Sequence, residues 1–223
     1  MLDQLQIGNL YSYDDFEASV ASRKINKPKK KSIKETVPFS NVTYDFSAIN
    51  GEVYWEEQSL EYVLEITADS PEELEDLKTR FSSWVMNVMK EKLYDPFIEN
   101  YHFIATFDDI SYSDEESMDK TTVTVKFSAY PYMIANYPKK YTSSVTKGAE
   151  ITLRVTNNSS HRITPKLIAD VPVQITIGDL VYTMGATSVE DESVKLAIGV
   201  NEVKVKATDA SGTFTIEFAE EVF

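Results

Sequence analysis

Apolar positions in this chain change period twice. From about Ile7 to Ile66 they come as short runs between polar stretches, which predicts strands joined by loops. Tyr11, Tyr13 and Phe16 open the region, and Val37-Pro38-Phe39 and Val42-Thr43-Tyr44-Asp45-Phe46 continue it. The run Ser59-Leu60-Glu61-Tyr62-Val63-Leu64-Glu65-Ile66 alternates, as a half-buried strand does. Asn50-Gly51 predicts a hairpin turn leading into Val53-Tyr54-Trp55, because both residues tolerate the positive φ of a type I′ turn.

The period then lengthens. Leu74, Leu77, Phe81, Trp84, Val85 and Val88 recur at helical spacing and predict one helix from Pro71 to about Lys90. Its start is signalled by Ser70 as N-cap, Pro71 at the first helical position and Glu73 completing a capping box. Glu72, Glu73, Glu75 and Asp76 suit the positive end of the helix dipole, and Lys90 and Lys92 the negative end. Such a stripe on a β-rich chain predicts packing across a sheet, with Trp84 in the core rather than at a cofactor.

Alternation then returns. Tyr101-His102-Phe103-Ile104-Ala105-Thr106-Phe107 reads as a strand, the acidic stretch from Asp108 to Asp119 as a loop, and Thr121-Thr122-Val123-Thr124-Val125-Lys126-Phe127 as the returning strand. Pro131 and Pro138 interrupt the pattern, so a first domain over residues 1–140 and a second over 141–223 are expected. In the second, Ile151-Leu153-Val155, Val173-Ile175-Ile177, Val203-Val205 and Phe214-Ile216-Phe218 alternate between turn signals at Asn157-Asn158, Gly178-Asp179, Gly185 and Ser211-Gly212. That spacing predicts a small antiparallel sandwich or jelly roll. The fold class expected is mainly β with one prominent α-helix packed on a sheet of the N-terminal domain.

Composition narrows the chemistry. The hydrophobic fraction of 42% is enough to fill a core, and thirteen Tyr and eleven Phe favour strands. Cys is absent, which excludes disulfides, thiolate metal sites and a Cys nucleophile. The first residues lack the basic start and apolar run of a signal peptide, and no stretch is apolar enough to span a bilayer. A soluble chain made in the cytoplasm, with no membrane insertion, is expected.

The net charge of −14 argues against a stable nucleic-acid partner, which needs a basic face for phosphates. One segment departs from it: Arg23, Lys24, Lys27, Lys29, Lys30, Lys31 and Lys34 crowd together without an acid among them. The segment reads either as a solvated loop between two strands or as a basic tab that docks on an acidic neighbour, such as another copy of the chain. It carries no interleaved aromatic residues of the kind that stack on bases.

Catalytic and metal-binding signals are missing. His102 and His161 are the only histidines, and neither a nucleophile elbow, a zinc-protease motif nor a Gly-rich phosphate loop is present. The acidic stretch after Asp108 fails as an EF-hand loop, lacking the turn Gly and having Lys120 where the bidentate Glu belongs. Glu56 and Glu57 are adjacent, and on a strand would point to opposite faces rather than flank one bond. No enzyme activity, cofactor or metal is expected.

The order of these motifs resembles the distal tail protein family of siphophages. Ile7-Gly8-Asn9-Leu10-Tyr11-Ser12-Tyr13 precedes the charged segment and Val37-Pro38. Then come a strand, one amphipathic helix, Leu93-Tyr94-Asp95-Pro96, the strand from Tyr101 and a closing Phe127-Ser128-Ala129-Tyr130-Pro131-Tyr132. The C-terminal part is similar to that family's galectin-like sandwich, with Ile198-Gly199-Val200-Asn201 as a turn before its last strands. Where many members have a Gly-rich turn after Val-Pro, this chain has Phe39-Ser40-Asn41-Val42.

The resemblance implies a homo-hexameric ring of N-terminal domains at the virion tail tip, assembled in the host cytoplasm. It implies the major tail (tube) protein on one side of the ring and the tail-associated, tape-contacting protein on the other. Receptor-binding proteins are implied at the sandwich domains. Lys29, Lys30 and Lys31 are the residues expected to contact an adjacent subunit or tail partner. A carbohydrate-binding module, a cell-wall hydrolase and a component of a tail-like bacteriocin are the competing readings; the first is disfavoured by a C-terminal part poor in aromatics and without Trp.

Overall fold

The computed structural model describes residues 3–36, 39, 41, 43–47, 52–113 and 119–223. It divides into one unit of Met1–Met133 with Phe223 and a second of Ile134–Val222.

The first unit begins with β1 (Gln6–Ile7), β2 (Leu10–Tyr11), α1 (Ser12–Phe16) and β3 (Ala18–Asn26). After β4 (Lys34–Thr36) and β5 (Thr43–Asp45) come β6 (Gln58–Thr67), α2 (Pro71–Met86), β7 (Glu91–Tyr94), β8 (Tyr101–Tyr112) and β9 (Lys120–Ala129). The main sheet runs β2-β1-β7-β8-β9-β6-β3, and β4-β5 form a separate ribbon. Strict alternation places Leu60, Tyr62, Leu64 and Ile66 of β6 beside Val123, Val125 and Phe127 of β9, all fully buried. Leu74, Leu77, Phe81 and Val85 of α2 close the same core, so the helix lies across the sheet as its stripe predicts.

The start of α2 has the expected chemistry. Ser70 Oγ accepts from the Glu73 N–H (3.2 Å), while the Glu73 carboxylate accepts from Asp69 N–H (3.0 Å). Its end differs from the expected one, since the helix stops at Met86 and Lys90 and Lys92 lie beyond it. Val88 turns into the core and its carbonyl accepts from Phe107 N–H (2.9 Å), which draws the chain off the helix axis towards the sheet. Trp84 stacks on Phe16 (centroids 4.8 Å apart) and meets Phe81 edge-on, a packing role.

Three other expectations change. Residues 12–16 form a helical turn rather than a strand, because the Asp15 carboxylate accepts from Tyr11 N–H (2.7 Å) and Phe16 is drawn onto α2. The acidic loop begins later than expected: Asp108 to Tyr112 continue β8, paired with β9 beyond a bulge between Phe107 and Asp109. Tyr112 fixes that extension by donating to the Lys78 carbonyl (3.0 Å) on α2. The basic segment is in part strand: Arg23 and Lys24 pair with Tyr62 and Glu61 in the main sheet, and Lys34 opens β4. The Asn50-Gly51 turn, Val37-Pro38 and residues 114–118 lie outside the described residues.

The second unit holds β11 (Lys139–Val145), β12 (Glu150–Asn157), β13 (Lys166–Ala169), β14 (Val173–Ile177), β15 (Leu180–Met184), β16 (Ser188–Glu190), β17 (Gly199–Ala207) and β18 (Gly212–Phe218). They form two four-stranded sheets, β11-β18-β13-β16 and β12-β17-β14-β15. The short strands β10 (Met133–Ala135) and β19 (Glu221–Val222) pair with one another. Leu167, Phe214 and Ile216 of one sheet and Val155, Ile175, Val203 and Val205 of the other fill a single core, the arrangement of a sandwich. Gly178-Asp179 closes the β14–β15 hairpin with Gly178 at φ 58, as the turn signal predicts. The turn expected over Ile198-Gly199-Val200-Asn201 is strand from Gly199 on, since Gly199, Val200 and Asn201 pair with Asn157, Thr156 and Val155. Asn201 ties the residues before β17 to it, its Oδ1 accepting from Ala197 N–H and its Nδ2 donating to the Ala197 and Gly199 carbonyls.

Candidate functional site

The most distinctive charged feature of the first unit is the segment that leaves β3. Lys29, Lys30 and Lys31 are exposed and run extended against 54–56: Lys31 N–H donates to the Tyr54 carbonyl, Glu56 N–H donates to the Lys29 carbonyl (both 2.8 Å), and Lys30 bridges Trp55. The backbone of this stretch is therefore tied down while its ammonium groups face water. Among the described residues, Arg23 is the only one of the seven basic residues in 23–34 that meets a carboxylate. The stretch thus combines a paired backbone with exposed charges.

The same stretch continues into an antiparallel ribbon. Phe46 N–H donates to the Ile33 carbonyl (2.8 Å), Ile33 N–H donates to Ser47 Oγ (2.9 Å), and β4 and β5 pair from Lys34–Asp45 to Thr36–Thr43. Ile33, Tyr44, Phe46, Val53 and Tyr54 all expose 40–54% of their surface. The Tyr44 and Phe46 rings stack, centroids 6.4 Å apart. No described hydrophobic side chain between 27 and 57 joins the unit's core. Sequence reasoning found the lysines and missed this apolar companion, since alternation in a short strand does not say whether either face is covered.

The root of the segment is anchored inside the unit. Arg23 forms an ion pair with Asp95, whose side chain is fully buried. Asp95 also accepts from the Tyr62 hydroxyl (2.9 Å) and, at its other oxygen, from Phe97 N–H (2.8 Å). The Leu93-Tyr94-Asp95-Pro96 motif thus has a structural role, because its Asp ties β3 and β6 to the loop after β7. Burial foremost, with the Asp95 charge adding to it, holds the Tyr62 hydroxyl well above its ordinary pKa.

Other chemistry gains no support. Among the described residues no cluster of His, Asp or Glu is arranged to hold a metal, and no helix is long and apolar enough to cross a membrane. His102 is buried beside the Tyr94 ring, and His161 hydrogen-bonds Glu221 (2.8 Å). Glu56 and Glu57 precede β6 instead of lying in a strand, and both are exposed. In the second unit an open cleft of 390 Å³ lies between Thr176-Ile177-Gly178 and Val200-Asn201-Glu202 with Lys204, and its lining has no aromatic ring on which a sugar could stack.

No family model matches the chain, and no curated protein sequence matches it. Solved structures do. The baseplate of phage P2 in its activated conformation with Ca aligns at a TM-score of 0.42 and 9% identity, covering 97% of this chain and 98% of that one. The phage p2 baseplate with Sr aligns at 0.40 and 10%, covering 98% of each chain. The Dit protein (gp 19.1) of SPP1, described as a paradigm of the hub adsorption apparatus in phages infecting Gram-positive bacteria, aligns at 0.72 and 13% identity over 98% of this chain and 99% of that one. From end to end, this chain has the fold of that Dit protein.

Proposed function

We propose that the chain is a non-enzymatic structural subunit of a phage tail tip, a distal tail protein whose N-terminal units close into a six-fold ring. The observation that carries this reading is the fold shared over nearly the whole of both chains with a phage hub protein. The order of motifs from Ile7-Gly8-Asn9 to Tyr130-Pro131-Tyr132 supports it independently of that comparison. In this reading the ring joins the tail tube to the tail-associated protein. The C-terminal sandwich is galectin-like and carries receptor-binding components. A closed ring needs a heterologous interface, one face of a subunit meeting a different face of the next. Lys29, Lys30 and Lys31 serve that interface by meeting an acidic surface of the neighbouring subunit or of a tail partner.

Light scattering followed by negative-stain microscopy tests the reading, on the protein alone and after coexpression with a tail-tube protein from the same genome. Six-fold rings with an open centre are expected in at least one preparation. Absence of rings from both would overturn it. Reversing Lys29, Lys30 and Lys31 together to Glu is expected to impair assembly at physiological salt, and unaltered assembly removes these residues from the interface.

A further inference from the structure

We infer that the free edge of β15 is a docking site for an extended, basic-flanked segment of another protein, which joins the sheet as a further strand. The sheet β12-β17-β14-β15 ends on β15, which has a partner on one side only. Ile177 and Leu180 flank the two-residue turn Gly178-Asp179 and so exchange hydrogen bonds; pairs alternate from there, so Ile175–Tyr182 and Val173–Met184 do likewise. Val181 and Thr183 therefore direct their N–H and C=O groups away from β14, and among the described residues no backbone hydrogen bond takes them up. Such an edge is a template for another strand unless charge, proline or a bulge blunts it. The other edge strands of the second unit's two sheets are blunted. β11 carries Lys139 and Lys140, β12 carries Glu150 and Arg154, and β16 is three residues long and ends on Glu190. β15 has no charge, no Pro and an unbroken register with β14.

The side chains beside this edge fit an added strand. On one face Val181 is 57% exposed and Thr183 is exposed. On the other, Leu180 and Tyr182, with Val189 of β16, are only partly buried against the core, so the margin of the sandwich is incompletely covered there. Apolar residues at alternate positions of an incoming strand would complete that cover. Charge selects the occupant. Residues 173–195 hold four acids, Asp179, Glu190, Asp191 and Glu192, against the single base Lys195, which pairs with Glu192. Asp179 stands at the turn that opens β15, and Asp191 faces the Tyr182 hydroxyl. A second copy would bring the same acids to this edge, whereas a segment with Lys or Arg on its flanks meets opposite charge. Main-chain hydrogen bonds then hold the segment and its alternate side chains select it. This inference rests on the proposed role of the sandwich as a carrier of other tail components, and adds the edge and the mode of attachment.

Nuclear magnetic resonance on the nitrogen-15-labelled full chain tests it, with the synthetic peptide Arg-Val-Thr-Val-Thr-Val-Arg as the probe. Shifts of the β15 amide signals and slowed exchange of the Val181 and Thr183 N–H groups are expected on peptide binding. Binding elsewhere, or none at millimolar peptide, overturns the inference. Thr183→Pro removes an N–H that the β14–β15 ladder does not use and is expected to weaken binding about tenfold, while Thr183→Val keeps that N–H and binds as the parent does. Equal binding of the Pro variant overturns the inference, and slowed exchange in the parent protein decides the matter should that variant fail to fold. Replacing both Arg residues of the probe by Asp is expected to weaken binding about tenfold at low salt; equal affinity overturns the choice of occupant. Exchange at both N–H groups that slows with protein concentration alone overturns it in favour of a second copy. The outcomes separate the two proposals. Rings without peptide binding at β15 leave the hub reading standing and remove this one, whereas peptide binding at β15 without rings does the reverse.

Discussion

The guanidinium of Arg23 pairs with the buried carboxylate of Asp95 and lies over the ring of Phe97, 4.7 Å from its centroid. One side chain thus neutralises an enclosed charge and covers part of a half-exposed aromatic ring. The pair joins β3 to the loop between β7 and β8, and the basic segment departs from that fixed point.

Removing Arg23 would take the ion-pair partner away from a carboxyl group closed to water. Arg23→Ala is expected to cost about 2–4 kcal/mol, somewhat below the cost for a fully enclosed pair because Arg23 keeps some exposure. Urea unfolding measures this, and a double-mutant cycle with Asp95→Asn should recover much of the loss. A cost no larger than that of a surface Arg would show that the pair is not an anchor.

Tyr62 sets a stability limit at high pH. Burial, the Asp95 charge and the hydrogen bond to it raise its pKa, with Arg23 opposing them. Tyr112 shifts the same way, through burial first, with its Ser82 hydrogen bond opposing and the Glu75 charge adding. A raised pKa means that the folded state holds its proton longer than the unfolded chain. The stabilisation is complete below the unfolded value of about 10 and is lost as pH rises through the folded value. Tyr62→Phe should therefore flatten the fall of the urea midpoint above about pH 10 while lowering stability at neutral pH by about 1 kcal/mol. Parallel pH curves for the two proteins would contradict it.

The cap of α2 makes a separate contribution. Ser70→Ala is expected to destabilise the first unit by about 1 kcal/mol, and Ser70→Asp to be nearly neutral, since Asp also accepts from the early N–H groups. Thermal unfolding monitored by Trp fluorescence is a suitable readout because Trp84 lies on the same helix and stacks on Phe16. Equal melting of all three proteins would place the helix start elsewhere.

Gly212 is fixed by crowding rather than by φ. A Cβ there would lie 2.2 Å from Asp170 Oδ1 and 2.7 Å from Val171 Cγ1, so Gly212→Ala must push the β18 start away from the 170–171 turn. It would also disturb the 2.6 Å hydrogen bond from Thr213 N–H to Asp170. A loss of about 1–3 kcal/mol is expected, read by urea unfolding. Gly185→Ala, where a Cβ meets nothing within 4 Å, serves as the control.

Much of the fold was legible because its signals are local. The S-x-x-E cap with Pro71, the spacing of Leu74, Leu77, Phe81 and Val85, and the alternation of β6, β9, β14 and β18 each follow from neighbours within a few residues. The same reasoning placed Trp84 in packing.

What the tertiary structure alone decided involves partners far apart along the chain. The end of α2 was set by Val88 turning inward to reach Phe107, and the length of β8 by Tyr112 reaching Lys78. Arg23, Tyr62 and Asp95 read separately as a basic residue, a strand tyrosine and a turn acid. Only folding brings them together, and only burial makes their pairing matter. The sequence by itself determined where strands and the long helix form and where positive charge gathers. Which charges are spent inside the unit, and which lysines and aromatic rings of the ribbon are left facing outward, depended on contacts that no local pattern encodes.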